Sequence, residues 1–188
     1  MKNKVTPLDA LLFAANKTNG FYTKSPRKPY VNHLIEVANI LSLAPIEDNE
    51  ELLVTGILSE LLENSDTSEE EIQGVFGNRV LDKLKSLTDN ESTSAKDMMH
   101  KREQRVFNFT CDAKLIEIAR CIAQIDEMPE QWSVQRRLEY LNHLERVVKN
   151  CGVSLKGFAD SFAVKLFNAR NRIIDEHSRY DTLSFRLV

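Results

Sequence analysis

Apolar residues recur at intervals of three and four along most of the chain, which is the spacing of helices that bury one face. Only 6 Gly and 5 Pro interrupt the 188 residues, so the periodic segments are long. Thr6 before Pro7 is typical of a helix start, and we expect Gly20 to end that helix. The pattern predicts helices at 7–18, 31–43, 49–64, 68–76, 78–87, 95–107, 113–125, 133–150 and 157–176.

Two segments do not fit a helix. Residues 21–30 combine two prolines with Lys24, Arg27 and Lys28, which predicts a basic loop. The stretch TDNESTSA at 88–95 is the most polar of the chain and predicts a second loop. Since neither segment is long enough to separate domains, we predict one all-α domain over 1–188, a bundle of about eight or nine helices.

Composition narrows the classes of binding partner and the cellular locations to be expected. The net charge is −3 and the pI is near 5.9, so no basic field favours nucleic acid or an anionic membrane. No run of about twenty apolar residues exists to span a membrane, and the apolar patch after the first lysines is too short for a signal peptide. Three cysteines without CxxC spacing argue against disulfides and a cysteine zinc site, and they favour the cytoplasm.

Four longer strings carry a family pattern. They are PYVNHLIEVANIL at 29–41, TGILSELLENSDTSEEEIQGVFGNRVLDKLKSLTD at 55–89, AKLIEIARCIAQI at 113–125 and PEQWSVQRRLEYLNHLERVVK at 129–149. In their order and wording these strings resemble the hydrolase domain of the RelA/SpoT alarmone enzymes, closest to the free-standing small alarmone hydrolases. The resemblance is strongest over 7–150, leaves 151–188 as a C-terminal helical end, and implies an HD-domain-like fold.

The resemblance also implies an activity. Members of this family hydrolyse the 3′-pyrophosphate of the alarmones guanosine tetra- and pentaphosphate with a Mn²⁺-type ion held by two His and two Asp. The first family His corresponds to His33. The adjacent His-Asp pair corresponds to Ser59 and Glu60, and the last Asp corresponds to Arg120. A hydroxyl replaces an imidazole and a guanidinium replaces a carboxylate, so we expect no bound metal.

The water-activating pair of the family is also altered. Its Glu corresponds to Glu63, and its Asp corresponds to Asn64, whose amide cannot accept a proton. Arg120 has two interpretations: its charge fills the vacated metal position and pairs with Glu60, Glu63 or both, or the substitutions are neutral drift after loss of function. For His33 alone, a packed side chain is favoured over a metal ligand because the other ligands are missing.

Further candidate residues correspond to positions that surround the bound ligand in the family. Lys24, Arg27 and Lys28 lie where the family has an Arg-Lys pair that addresses phosphates, although a solvated basic loop is slightly favoured because such residues are common on surface turns. Gln124 corresponds to a family Asn near the substrate, and the alternative is that its side chain only faces solvent. Tyr140 corresponds to a residue that borders the nucleotide pocket.

Three functional hypotheses follow from these residues. The favoured one is an inactive module that binds a guanine or adenine phosphate nucleotide, or a protein partner. The second is a working phosphohydrolase in which His33, Glu60 and Glu63 hold an ion in a rebuilt centre. The third is a helical interaction protein, for which an obligate oligomer would be the sign.

Overall fold

The computed structural model describes residues 5–23, 27–44, 46, 49–88, 95–152 and 156–184, and these form ten α-helices and two 3-10 turns. The helices are α1 Pro7–Lys17, α2 Tyr30–Ser42, α3 Glu50–Leu58, α4 Leu61–Asn64, α5 Glu69–Phe76, α6 Asn78–Leu87, α7 Ala95–Arg105, α8 Cys111–Gln124, α9 Val134–Cys151 and α10 Lys156–Ser184. The 3-10 turns are Val106–Asn108 and Ile125–Glu127. Counting α3 and α4 as one interrupted helix, the predicted all-α class and helix number are confirmed.

Small polar residues set the helix starts. Thr6 caps α1 and Ser68 caps α5, each in a capping box in which the acidic third residue bonds back to the cap. Gly77 ends α5 with a φ of 86°, a conformation that glycine adopts without strain. The loop predicted between 21 and 30 is present as an isolated bridge from Tyr22 to Pro29, while residues 24–26 and the polar stretch 89–94 lie outside the described residues.

Two helices differ from the prediction. The segment predicted as one helix over 49–64 is interrupted at Ser59 and Glu60, where Glu60 has a φ of −115°. The apolar spacing of the sequence continues across this point, so the sequence pattern does not show the break. The break becomes apparent only from the contacts that the Glu60 side chain makes in the structure. Helix α10 extends to Ser184, well beyond the predicted end at 176, because the five residues after Ile174 are all polar and give an apolar pattern nothing to continue.

Two clusters of buried apolar side chains form the core, and they meet along α2 and α3. The N-terminal cluster draws on α1 to α6, and the C-terminal cluster is built mainly on α8, α9 and α10. Helix α8 is almost entirely buried, since ten of its fourteen residues are inaccessible. No helix in the described ranges has both the length and the apolar character needed to cross a membrane.

Gly56 sits at the contact between α3 and α2. A Cβ atom added there would overlap the Cδ1 atom of Leu41, whose side chain is fully buried. Gly74 in α5 is the matched opposite case, because a Cβ atom there meets no atom within 4 Å. Among the glycines that the structure describes, Gly56 is therefore the one whose missing side chain leaves room for a buried neighbour, Leu41.

We expect Gly56→Ala to lower the free energy of unfolding by roughly 1–3 kcal/mol, because Leu41 must move within a packed core. The control Gly74→Ala should be neutral or raise it by up to about 1 kcal/mol, since alanine favours an exposed helix. Urea denaturation followed by circular dichroism measures both. Equal effects of the two variants would contradict the close approach of α2 and α3.

Candidate functional site

A buried ion pair between Glu60 and Arg120 is the centre of the candidate site. Glu60 lies at the break between α3 and α4 and is 4% exposed, and Arg120 projects from α8 and is 6% exposed. The Arg120 Nε atom donates a hydrogen bond of 2.7 Å to Oε1 of Glu60. Its two other nitrogens lie 3.6 Å from Glu63 and 3.4 Å from Glu117. One guanidinium thus holds three carboxylates, and its predicted pairing with Glu60 and Glu63 is present.

Helix α2 supplies the other side of this cluster. The Nε2 atom of His33 lies 3.3 Å from Oε2 of Glu60, and Nδ1 lies 3.0 Å from Oε1 of Glu127. The Tyr30 hydroxyl donates to Glu60, and the Asn64 amide donates to the Tyr30 oxygen over 3.1 Å. Both oxygens of Glu60 are therefore engaged, and Asn64 acts here as a donor.

Burial and charge act against each other in this cluster. Burial alone would raise the pKa of Glu60, but Arg120 and His33 hold it well below its usual range. Burial would lower the pKa of Arg120, yet Glu60 and Glu117 raise it above the ordinary value. For His33, the carboxylates of Glu60 and Glu127 outweigh the lowering effect of burial and raise the pKa to about 10.

Ser59 is the exception among the predicted centre residues. It is 2% exposed, and its Oγ atom has no hydrogen-bond partner within the part of the chain that the structure describes. The Nε2 atom of His33 is likewise buried without a hydrogen bond, although it is in ion-pair range of Glu60. The structure therefore brings five predicted residues into one network of contacts. Ser59 is next to this network in the chain, but its side chain makes no hydrogen bond to the described residues.

A second group of contacts continues from Glu117. Its carboxylate accepts a hydrogen bond from Arg102 of α7, and Arg102 donates 3.1 Å to the Oε1 atom of Gln124. The Tyr140 hydroxyl donates to the same oxygen over 3.4 Å. Two residues that the sequence predicted as ligand contacts, Gln124 and Tyr140, are thus in contact with each other and connected to Arg120 by a chain of charges.

The basic loop is separate from these contacts. The guanidinium of Arg27 lies 4.5 Å from the ring centroid of Tyr22, a cation–π arrangement. The Lys28 backbone pairs with Thr23, and both Arg27 and Lys28 are exposed. Lys24 lies outside the described residues. The loop ends at Tyr30, whose hydroxyl donates to Glu60, so the loop leads directly into the Glu60 cluster.

Four contributing residues were missed in the sequence. Glu117 had a signal, because it precedes Arg120 by one helical turn within an otherwise apolar run, so the two charges share a buried face. Tyr30 lies inside the matched string 29–41 and had only that signal. Arg102 and Glu127 had none, since they reach the cluster from other parts of the chain.

The centre does not fit a divalent cation. Arg120 places a fixed positive charge within hydrogen-bond distance of Glu60, so an ion held by that carboxylate would meet a like charge. Among the described residues, no group of three or more His, Cys, Asp and Glu side chains is arranged to bind a metal. The Arg120 guanidinium supplies the positive charge that these carboxylates require.

Replacing Arg120 should reveal the free-energy cost of burying the Glu60 carboxylate without its counter-charge. We expect Arg120→Met to lower the free energy of unfolding by about 3 kcal/mol, because Glu60 and Glu117 lose a buried counter-charge. In the control Arg79→Met, loss of an 85% exposed side chain should cost no more than about 1 kcal/mol. Urea denaturation at neutral pH measures the free energy of unfolding of both variants. Equal decreases would show that the buried ion pair contributes no more to stability than the exposed arginine does.

Comparison with known proteins fits this architecture. No family model matches the chain. It is 29% identical over 164 residues to the guanosine-3′,5′-bis(diphosphate) 3′-pyrophosphohydrolase MESH1 of Drosophila melanogaster, covering 85% of this chain and 89% of that protein. The enzyme of the same name from Danio rerio is 31% identical over 147 residues, covering 76% and 82%.

A solved structure agrees with the sequence relatives. It is described as a metazoan ortholog of SpoT that hydrolyses ppGpp, and it superposes with a TM-score of 0.76 at 28% identity over 92% of this chain and 97% of that one. The shared helical architecture and the identity to the Danio rerio enzyme over most of both chains establish that this chain belongs to the guanosine-3′,5′-bis(diphosphate) 3′-pyrophosphohydrolase family.

Proposed function

We propose that this chain is a non-hydrolysing member of its family that binds a guanine phosphate nucleotide and has the Arg120 guanidinium where family members hold their metal. The observation that carries the proposal is the buried ion pair between Arg120 and Glu60. A protein cation that is covalently attached and paired with three carboxylates leaves those carboxylates unavailable to an ion.

Under this proposal the site lacks water activation as well as metal binding. A general base must accept a proton from the attacking water. The Asn64 amide has no basic atom, and its nitrogen donates to Tyr30. Glu63 lies 3.6 Å from Arg120, an ion pair that holds its carboxylate toward the protein. These two contacts support a site without a general base.

The binding part of the proposal rests on the exposed basic loop and on the pair Gln124 and Tyr140. Arg27 and Lys28 present positive charge on a segment held by Thr23 and the Tyr22 ring, which suits a multiply charged phosphate. The relatives are named for a guanosine nucleotide, which supports guanine over adenine. The free thiols of Cys111, Cys121 and Cys151 support a reducing, cytoplasmic location.

One observation favours the second candidate, a phosphohydrolase with a rebuilt centre. The Nε2 atom of His33 and the Oγ atom of Ser59 are buried polar atoms that find no hydrogen-bond partner among the described residues. Such atoms usually find a partner, and a bound group would provide one. Against this candidate stands the like charge of Arg120 beside the carboxylate that would have to hold the ion.

We expect no pyrophosphate release from guanosine tetraphosphate with Mn²⁺ above the rate without protein, because the centre holds a guanidinium and the water-activating pair is incomplete. Coupled phosphate detection measures the release. EDTA should leave the melting temperature unchanged, since no ion contributes to stability. Turnover that disappears in His33→Ala or Glu63→Gln would instead establish the rebuilt metal centre.

A variant with four substitutions is the positive control for metal binding. Ser59→His, Glu60→Asp, Asn64→Asp and Arg120→Asp together recreate the ligand and base types of the family. We expect the combined variant to gain thermal stability on addition of Mn²⁺, because its unpaired carboxylates then have a counter-charge. Stability that does not respond to Mn²⁺ would argue against Arg120 occupying the metal position.

Charge reversal in the loop tests the binding half. We expect Arg27→Glu with Lys28→Glu to weaken binding of guanosine tetraphosphate by about tenfold or more, since each charge-assisted contact contributes about 1.5–3 kcal/mol. Isothermal titration calorimetry measures the affinity. The exposed control Arg79→Glu should bind like the wild type, and unchanged affinity in the loop variant would remove the loop from the site.

A further inference from the structure

Helix α10 is apolar on two opposite sides. The buried side belongs to the C-terminal cluster and consists of Phe158, Phe162, Leu166, Ala169 and Ile173. The other side carries Val164, Phe167 and Ile174, whose side chains are 61%, 64% and 52% exposed. Single exposed apolar residues are ordinary on a protein surface, but three along one line of a helix indicate a contact surface. Helix α10 also lies beyond the four strings that carry the family resemblance.

The exposed side has the spacing of a coiled-coil seam. Asn171, which is also exposed, completes a series with intervals of three, four and three residues. We call this series the outer stripe, and its members are Val164, Phe167, Asn171 and Ile174. Such spacing keeps a line of side chains facing one second helix, here over about three turns.

Ion pairs on both flanks of the outer stripe attach α10 to its own domain. Lys165 and Arg172 each lie 2.9 Å from a carboxylate oxygen of Asp126. On the other flank, Arg170 lies 2.6 Å from Glu145. A helix that binds a lipid surface offers basic residues to the anionic head groups beside its apolar face, whereas these basic residues are already paired with carboxylates. The flanks therefore favour a protein contact over a membrane.

We infer that the outer stripe is the contact surface of a homodimer, in which α10 pairs antiparallel with α10 of a second copy. The intervals three, four and three read the same in both directions, so a two-fold axis midway along the stripe maps it onto itself. Val164 then faces Ile174 of the second copy, and Phe167 faces Asn171 of the second copy. A surface that complements itself in this way favours a second copy of the chain over an unrelated protein.

The residues beside the stripe are compatible with this pairing. Near the axis, Asn168 meets Asn168 of the second copy, and two amides can each donate and accept a hydrogen bond. Further out, the Ser161 hydroxyl meets the Asp175 carboxylate of the second copy, a donor against an acceptor. Arg170 approaches Arg170 of the second copy, but each guanidinium keeps its own Glu145. That approach of like charges is therefore neutralised within each copy.

The size of the stripe limits the strength of the dimer. Its apolar pairs are few, and a polar Asn171 in the seam lowers stability while it disfavours other registers. Small interfaces of this kind are typical of transient association. We therefore expect a dimer that dissociates on dilution.

Sedimentation equilibrium of the full chain without nucleotide tests the dimer. We expect the 21.5 kDa monomer at about 1 µM and a shift toward twice that mass at about 500 µM. Phe167→Glu with Ile174→Glu should raise the dissociation constant by about tenfold or more, because charge replaces two apolar side chains in the contact. The control Leu8→Glu with Leu12→Glu changes two exposed apolar residues of α1 and should dissociate like the wild type.

Two outcomes of this experiment would overturn the dimer. A wild type that stays monomeric at the highest concentration leaves the stripe to a different protein, and equal effects of the two pairs of substitutions place the contact elsewhere. All four positions are exposed, so melting temperatures at about 1 µM should match that of the wild type. The proposed function is tested by nucleotide affinity and turnover, so its failure would leave this result unchanged.

Disulfide trapping tests the antiparallel register. In a Cys111→Ser background, which removes an exposed thiol, copper phenanthroline should link two copies of Val164→Cys with Ile174→Cys, because these positions face each other. Either single variant should stay unlinked, since its thiol faces an apolar side chain of the second copy. A parallel pair would bring equal positions together, so linking of a single variant would overturn the register. Absence of linking in the double variant would overturn the dimer.

Discussion

The carboxylate of Glu60 is 4% exposed, and a charge in that position has to be neutralised by its neighbours. Arg120 does this from α8 and His33 from α2, while Tyr30 adds a hydrogen bond. Isolated burial of a carboxylate would cost several kcal/mol, so the three helices have to meet where they do. The interruption between α3 and α4 follows from the same need, since it occurs at the residue whose side chain enters the cluster.

The ion pair also lies where the two halves of the core join. Glu60 is flanked by Leu58 and Leu61 of the N-terminal cluster, and Arg120 by Ala119 and Cys121 of the C-terminal cluster. A hydrophobic contact has no direction, whereas a hydrogen-bonded guanidinium fixes both distance and orientation. The pair therefore specifies how the two clusters are placed, and a metal ion held by converging side chains would impose the same kind of constraint.

Alternating charges carry that constraint further through the molecule. From Glu127 the contacts run through His33, Glu60, Arg120 and Glu117 to Arg102, so acidic and basic side chains alternate along the series. Removing one member leaves a buried charge without its partner, so the members depend on one another. Its last member, Arg102, donates to Gln124, so Gln124 and the guanidinium proposed to replace the metal belong to one electrostatic arrangement.

The sequence by itself determined the helical class, most helix bounds and the family, because apolar spacing, capping residues and matched strings are local in the chain. It also identified Arg120 as the residue to examine. Only the tertiary structure decided the break at Glu60, the extension of α10, and the parts played by Arg102 and Glu127. These depend on side chains that are distant in sequence and meet only after packing, and one-dimensional patterns do not record which buried charge faces which.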